Sequence, residues 1–480
     1  MSIETLHPLY IENLPLWQKA DDCISGQDAV KKASTAYLPR PGGQSDAQYK
    51  AYLERASFTM FTARCLEGLY GQIFSKAPEK SGDIPELFQN LLDNVDLAGS
   101  SIDQFASDLL YPTLAKPWTG ILVDHPPVQE GMNQADKEKL GLDAYLKAYL
   151  AYDIINWRYD VIYGMQKLTL VVLKENYNTI SEKDKFVPIL KTRYRVLELV
   201  DGIYTQEVWE QFDNTQKQKE WIITEQYKPM LNGKYLDFIP FFLCPAKEPE
   251  KSMLLPIMYL NITHYQRCAD YNNLLHFTGT PTGYFVGVKP PMKEVKDSNN
   301  IIRSVPDEIK LGGDAALFLE GSGTESPRAG YLEPSGAGAG SLVKSLEDIK
   351  LDIEKMGGDL IAAKKKGVET AEAAKIHQAG ENAVLGSFSL NMSEKITQAV
   401  RLCAKWRGVP DEIADNFYYS LNMDYEGDLS NSDKINQGIR LYESDLLSKQ
   451  TFLTDFMDYT EEEAEEEAKL IDGAGIEGTE

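Results

Sequence analysis

Apolar positions change their spacing several times along the chain, and each change marks a different kind of element. From Ser45 to Phe74, the residues Tyr49, Tyr52, Leu53, Ala56, Met60, Ala63, Leu66, Leu69, Tyr70 and Ile73 recur at three- and four-residue steps. That periodicity predicts one helix, with Ser45 as its N-cap and Pro78 limiting its end. Before it, Pro8, Pro15, Pro39 and Pro41 interrupt residues 1–42 and predict one short helix near Asp28–Ala36 between extended flanks. Further helices are predicted over Ser101–Ala115 and Leu142–Tyr152, with a short buried strand at Gly120–Asp124 between them. Then the rhythm turns β-like. Leu168–Leu173, Arg193–Leu199, Thr205–Phe212 and Glu220–Tyr227 are β-rich runs parted by polar or glycine-containing turns, so an antiparallel meander is expected. An α+β part therefore fills the first half.

The second half begins with one long helical pattern, Ser252–Phe277, capped by Ser252, with Pro256 in its opening turns and Gly279 and Pro281 as stops. At about 1.5 Å per residue it runs roughly 40 Å. Short strands and turns follow at Gly283–Val288, Ile309–Leu311, Ala315–Glu320 and Ala329–Leu332, closing in the Gly-rich stretch Ser335–Gly340. A helix resumes at Ser341, where Leu342, Leu346, Ile349, Ile353 and Met356 give a narrow apolar stripe suited to helix-to-helix contact. Gly357-Gly358 breaks it, and Lys364-Lys365-Lys366-Gly367 precedes a very long helical pattern, Thr370–Trp406, ended by Val409-Pro410. Asp411–Tyr459 reads as amphipathic helix, and nine acidic residues against one basic residue make 460–480 an expected disordered tail.

Composition narrows the function classes. Of 480 residues, 43% are hydrophobic and 25% charged, enough chain for two to four packed subdomains. The formal net charge of −24 argues against a protein that grips nucleic acid, since Lys and Arg drive that binding by displacing counterions. It is compatible with a surface past which DNA slides. The five dispersed cysteines (Cys23, Cys65, Cys244, Cys268 and Cys403) form no CxxC and read as thiols of a protein assembled in reducing cytoplasm. The first sixteen residues lack the basic and apolar regions of a signal peptide, and no apolar run reaches the roughly 18–20 residues a bilayer span needs. A soluble protein with no membrane partner is expected.

Catalytic signatures are missing. There is no GxxxxGK[ST], GxSxG or HExxH, so neither a P-loop motor nor those hydrolase classes are expected, and no catalytic residue, metal or cofactor is assigned. His7, His125, His264, His276 and His377 are scattered and read as satisfied or surface histidines. Gly336, Gly338 and Gly340 imitate a phosphate cradle, but no preceding strand in a βαβ unit is expected, so they read as a flexible hinge. Pairs such as Asp21-Asp22 read as solvated faces. Two readings of Lys364–Lys366 stand open: an exposed helix end, or a loop that meets phosphate.

The order of elements from Ser252 onward resembles a tailed-bacteriophage portal (head-to-tail connector) subunit. Local phrases resemble one group of such portals: Tyr37-Leu38-Pro39 with Gly43-Gln44-Ser45-Asp46, Ile154-Ile155-Asn156-Trp157 with the Leu168–Leu173 strand and Glu175, Tyr331-Leu332-Glu333-Pro334-Ser335-Gly336, and Gly367 with Thr370-Ala371-Glu372-Ala373. The resemblance runs from about Leu14 to Tyr459 and implies an α/β wing over 1–250, a first stem helix over 251–278 and a β-rich clip over 279–339. It further implies a second stem helix over 340–357, a tunnel loop over 358–369, a long wing helix over 370–408 and a helical crown over 409–459. What it implies functionally is a dodecameric homo-oligomer at one capsid vertex of the virion, assembled in host cytoplasm. Double-stranded DNA would pass its channel during packaging and ejection. Terminase large subunit, head-tail adaptor or tail proteins, and major capsid or scaffolding protein are the implied partners. In that frame Gly357, Gly358 and Gly367 are loop hinges, and Lys364, Lys365 and Lys366 meet the DNA. The alternative is another virion structural protein, an adaptor or scaffold-like ring component. An enzyme built from dispersed carboxylates is a third class.

Overall fold

The computed structural model describes residues 2–126, 143–180, 184–213, 219–279, 282–287, 292–296, 302–306, 316–319, 328–332, 337–357, 371–423 and 451. The chain divides into Met1–Asn422 and Met423–Glu480, and everything below concerns the first unit. Helix and strand alternate irregularly, with antiparallel sheets dominating, so the fold is α+β.

Two helices open the chain: α2 (Gln27–Ala33) lies on the short helix expected near Asp28–Ala36, whereas α1 (Pro8–Ser25) stands where an extended flank was expected. Pro8 occupies the first helical turn, where its missing N–H costs nothing, and the buried face Tyr10, Trp17, Ala20 and Cys23 carries the helix through Pro15. Ser45 caps α3 (Asp46–Arg55) in a reciprocal capping box with Gln48. The single helix predicted to run to Phe74 is broken in two: Ala56 turns extended, and α4 (Phe61–Ile73) begins afresh. The break sends buried Ala56 and Phe58 inward, and Phe58 meets the Tyr265 ring edge-on.

Next come β1 (Glu79–Ser81), α5 (Glu86–Asp93), α6 (Ile102–Ala115) and β2 (Thr119–Asp124), with Ser101 capping α6. β2 is buried at every position, so its backbone groups need partners on both sides. β3 (Tyr145–Tyr149) supplies one side, which corrects the helix predicted over Leu142–Tyr152: pairing demand overrides local spacing. Gly120 in β2 has a specific reason. A Cβ there would lie 2.2 Å from the Phe241 ring.

The meander is larger than the sequence indicated. β4 (Ile154–Ile162), β5 (Met165–Ile180), β6 (Pro188–Val200), β7 (Ile203–Asp213) and β8 (Lys219–Tyr227) form one sheet in sequence order, all antiparallel. Short β9 (Met230–Leu231) and β10 (Lys234–Tyr235) pair together, and β11 (Phe241–Cys244) takes the other side of β2. Where the two larger sheets meet, charge is buried. Glu175 receives Arg193 Nε at 2.6 Å, Lys147 Nζ at 2.7 Å and Arg195 Nε at 2.9 Å, and Tyr149 donates its hydroxyl to the same carboxylate. Asp124 accepts from Arg195 and Gln206 at 3.4 Å each and from Tyr145 at 3.1 Å. Around this network pack Trp118, Tyr149, Trp157, Leu173 and Leu197.

The remaining elements are α7 (Leu255–Gly279), β12 (Thr282–Val286), β13 (Met292–Lys296), β14 (Ile302–Pro306), β15 (Ala316–Leu319), β16 (Arg328–Leu332), α8 (Ala337–Met356), α9 (Ala371–Trp406), α10 (Asp411–Asn416) and β17 (Tyr418–Ser420). Helix α8 starts before Ser341, so Gly338 and Gly340 lie inside its first turns rather than in a hinge; Gly336 lies outside the described residues. The helix predicted over Asp411–Tyr459 ends at Asn416, because Tyr418–Ser420 pairs antiparallel with β1. Its remainder, the Ile309–Leu311 strand and the acidic tail fall outside the described residues, apart from Leu421–Met423 and Thr451.

Burial pushes the Glu175 carboxyl up, but Arg195 and Lys147 outweigh it and hold it well below the usual carboxylate range. A depressed folded-state value contributes stability above the unfolded value near 4.3 and loses it as pH falls toward the folded one. Glu175→Gln should therefore cost about 3–5 kcal/mol in urea unfolding at pH 7. It should also flatten the loss of wild-type stability below about pH 4.5. An unchanged midpoint at pH 7 would contradict this account.

Candidate functional site

The candidate site is the helix pair α7–α8 with the strands that lie between the two helices in sequence. Ser252 fixes where α7 begins: its hydroxyl accepts from Leu254 N–H at 3.1 Å and donates to the Leu114 carbonyl, at the end of α6, at 2.9 Å. Fully buried Asn261 is the central clamp. Its Oδ1 accepts from Thr62 N–H at 3.1 Å and Thr62 Oγ1 at 3.0 Å, and its Nδ2 donates to Thr59 O at 2.7 Å. Gln266 donates to Tyr37 O at 2.7 Å, Tyr52 donates to Asp270 at 2.6 Å, and Arg55 donates to Asn273 at 2.9 Å. Farther along the helix, Leu275 and Phe277 are exposed.

Helix α8 returns along α7. Its C-terminal half is the buried end, with Ile353 fully covered and Ile349 nearly so, while α7 is buried near its start at Ile257, Met258 and Ile262. The two helices are therefore antiparallel, rooted together in the body and emerging from it together. The predicted stripe splits accordingly: Leu342 and Leu346 are half-buried, and Met356 is exposed. Between the helices in sequence lie two small sheets, β15-β12-β16, where β12 pairs parallel with β15, and the β13–β14 pair.

Helix α9 closes the arrangement. Its buried face, including Phe388, Met392, Ile396, Val400 and Cys403, packs on β2, β3, β11 and β17. At its end Trp406 donates to Met230 O at 2.9 Å; after it, Arg407 donates to Ala144 O at 2.7 Å, and Gly408 supplies the positive φ of a helix C-cap.

Of the sequence-assigned positions, Gly357 is buried and donates to Ile353 O at 2.8 Å, ending α8. Gly358, Lys364, Lys365, Lys366 and Gly367 lie outside the described residues. Two of the histidines sit in packed surroundings. His7 Nδ1 accepts from Leu9 N–H at 3.2 Å, and its ring stacks on Trp157; His264 sits edge-on to Phe61, and burial lowers its pKa. Among the described residues no group of three or more His, Cys, Asp or Glu is placed to hold a metal ion, and no helix is long and apolar enough to cross a membrane. The clamp residues on α7 escaped the sequence reading, since lone Asn and Gln positions in a helix give no periodic signal.

Residues 253–407, from α7 to the residue after α9, match a family model described as a domain of unknown function (DUF4055). No curated protein matches the chain. Among solved structures, a chain from the neck of an empty gene transfer agent (GTA) particle, computed with C6 symmetry, is 12% identical with a TM-score of 0.38, covering 89% of this chain and 98% of that one. A chain from the virion of a native gene transfer agent particle is 10% identical with a TM-score of 0.37, covering 90% and 98%.

Asn261→Ala leaves the Thr62 donors and the Thr59 carbonyl unpaired inside the root and should cost about 2–3 kcal/mol in thermal or urea unfolding. A cost below about 0.5 kcal/mol would show that Asn261 is no clamp. Cysteine labelling gives a second check. Burial pushes the Cys23, Cys244 and Cys403 thiols up to about 12, Cys65 is buried, and Cys268 is half-buried. Iodoacetamide on native protein should alkylate Cys268 before the other four, which react on unfolding.

Proposed function

We propose that this chain is a structural subunit of a phage-like virion, and more closely a portal subunit. Twelve copies form a ring at one capsid vertex, and double-stranded DNA passes through its channel during packaging and ejection. One observation carries the reading: two antiparallel helices rooted in an α+β body bear a small strand-rich module, and a 36-residue helix follows and packs back on that body. This helix–strands–helix–loop–helix order is the one on which the sequence resemblance to portals rests.

The physical demands of a DNA conduit fit the chain. Rigid struts are needed beside the channel, and α7 and α8 are supplied with polar exposed positions along α8 such as Lys344, Glu347, Asp348 and Asp352. A net charge of −24 keeps phosphate from adhering, so the role is conduction without grip. The strand-rich module at 279–339 serves as the docking end for terminase during packaging and for head-tail adaptor or tail proteins afterwards. Residues 358–369 form the loop into the channel, where Lys364, Lys365 and Lys366 meet phosphate transiently. The protein performs no catalysis in this role.

Negative-stain microscopy of purified full-length protein is expected to show rings of about twelve subunits with a central hole wide enough for a duplex of about 20 Å. Rings without such a hole would favour an adaptor-like component instead. Replacing Lys364, Lys365 and Lys366 together by Ala should leave rings intact and alter DNA packaging or retention. Unchanged behaviour in both DNA assays would remove these lysines from the channel role.

A further inference from the structure

The five-stranded sheet carries exposed apolar groups at both ends. At one end the β5–β6 hairpin outruns its neighbours: β4 pairs with β5 only up to Leu173, and β7 pairs with β6 only from Arg193 onward. The overhang, with pairs from Asn176↔Thr192 to Ile180↔Pro188, is a two-stranded ribbon about 15 Å long at roughly 3.3 Å per residue. Such ribbons are marginal alone in water, yet this one exposes Ile180, Leu190 and, at 80%, Phe186. Lys185 and Lys191 flank them.

At the opposite end the β4–β5 turn exposes Val161, Met165 and Tyr163, the last at 97%. This turn is anomalous by comparison within the same molecule. Three tight turns have two successive residues at positive φ: Asp201-Gly202, Asn232-Gly233 and Tyr163-Gly164. Asp-Gly and Asn-Gly are the pairs such a turn prefers; a tyrosine at φ 51° is strained and bulky, and here it packs on nothing that would justify it. Exposed Asp160 and Asp201 lie at this end of the sheet.

We propose that these two ends dock on each other between copies: the β5–β6 tip around Phe186 of one chain seats on the Tyr163 turn of the next. The described tip carries Asp184 beside Lys185 and Lys191, and the other end carries Asp160, Asp201 and Asp237 with Arg158 and Lys167, so the excess charge is of opposite sign at the two ends and favours the same pairing as apolar burial. The two patches differ and sit at opposite ends, so the contact is heterologous and propagates head to tail, closing into a ring when the rotation permits. The inference rests on the ring assembly proposed above and names a contact within it.

The turn chemistry supplies a test that separates docking from folding. Tyr163→Asn restores a preferred turn pair, so its monomer should melt no lower than wild type while its association weakens about tenfold or more, equivalent to about 1.4 kcal/mol. Phe186→Asp should weaken association comparably with an unchanged circular dichroism spectrum. Mixed in equal amounts, the two variants each retain one intact end and should give discrete dimers by sedimentation velocity or mass photometry. A full-length Tyr163→Cys/Phe186→Cys double variant should form intermolecular disulfides under mild oxidation. Normal rings from both single variants would overturn this contact and leave the ring reading standing. A wild-type chain that stays monomeric, with no cross-link in the double variant, would overturn both.

Discussion

The buried ion network at Asp124, Arg195 and Glu175 is the constraint on which the body depends. It joins β2 and β3 of the three-stranded sheet to β5, β6 and β7 of the meander, and it does so with groups that cannot be left alone inside a protein. Arg195 uses its guanidinium fork to reach both carboxylates. Lys147, Tyr149 and Arg193 fill the remaining lone pairs of Glu175. An apolar interface of the same size tolerates sliding between sheets, whereas this one has a single satisfied geometry. It thereby fixes the level at which β5 and β6 leave the supported sheet, one residue beyond Glu175 and Arg193, and so the length of the free ribbon.

From that junction the support passes in two directions. Through β2 and β3 it reaches α9, whose buried face lies on the smaller sheet and whose C-terminal residues tie to Ala144 and Met230. Through α6 it reaches Ser252 and the start of α7, so the protruding helix pair is anchored to the same body that the ion network holds together.

How much of this was legible beforehand follows from where the signal lived. The long elements were visible: Ser252–Phe277 and Thr370–Trp406 are found at Leu255–Gly279 and Ala371–Trp406, because sustained apolar spacing survives tertiary context. Four strands of the meander were visible for the same reason, while β4 was not. Failures cluster where a distant partner decides. Tyr145–Tyr149 is a strand because β2 needs it, α1 passes through Pro15 because its buried face is worth more than one lost hydrogen bond, and Tyr418–Ser420 is a strand because Glu79–Ser81 lies beside it. Glu175 carries no local signal of its role, which depends on Arg195 and Asp124, residues that no local pattern links to it. The strain at Tyr163 is likewise a backbone property that composition does not carry.

The clamp on α7 has one further consequence. Its root is held by directional polar groups at Asn261, Gln266, Asp270 and Asn273, spread over several turns, as well as by apolar contacts. Successive helical positions differ by about 100° in azimuth. A helix gripped by apolar packing alone can roll by part of that angle at little cost, but one gripped by hydrogen bonds at four depths cannot. The direction in which Leu275 and Phe277 point is thus set from about half a turn to about four and a half turns away, along the clamped part of the helix. In a symmetric assembly every copy would present those side chains at the same angle to its neighbours without any contact at the tip having to enforce it.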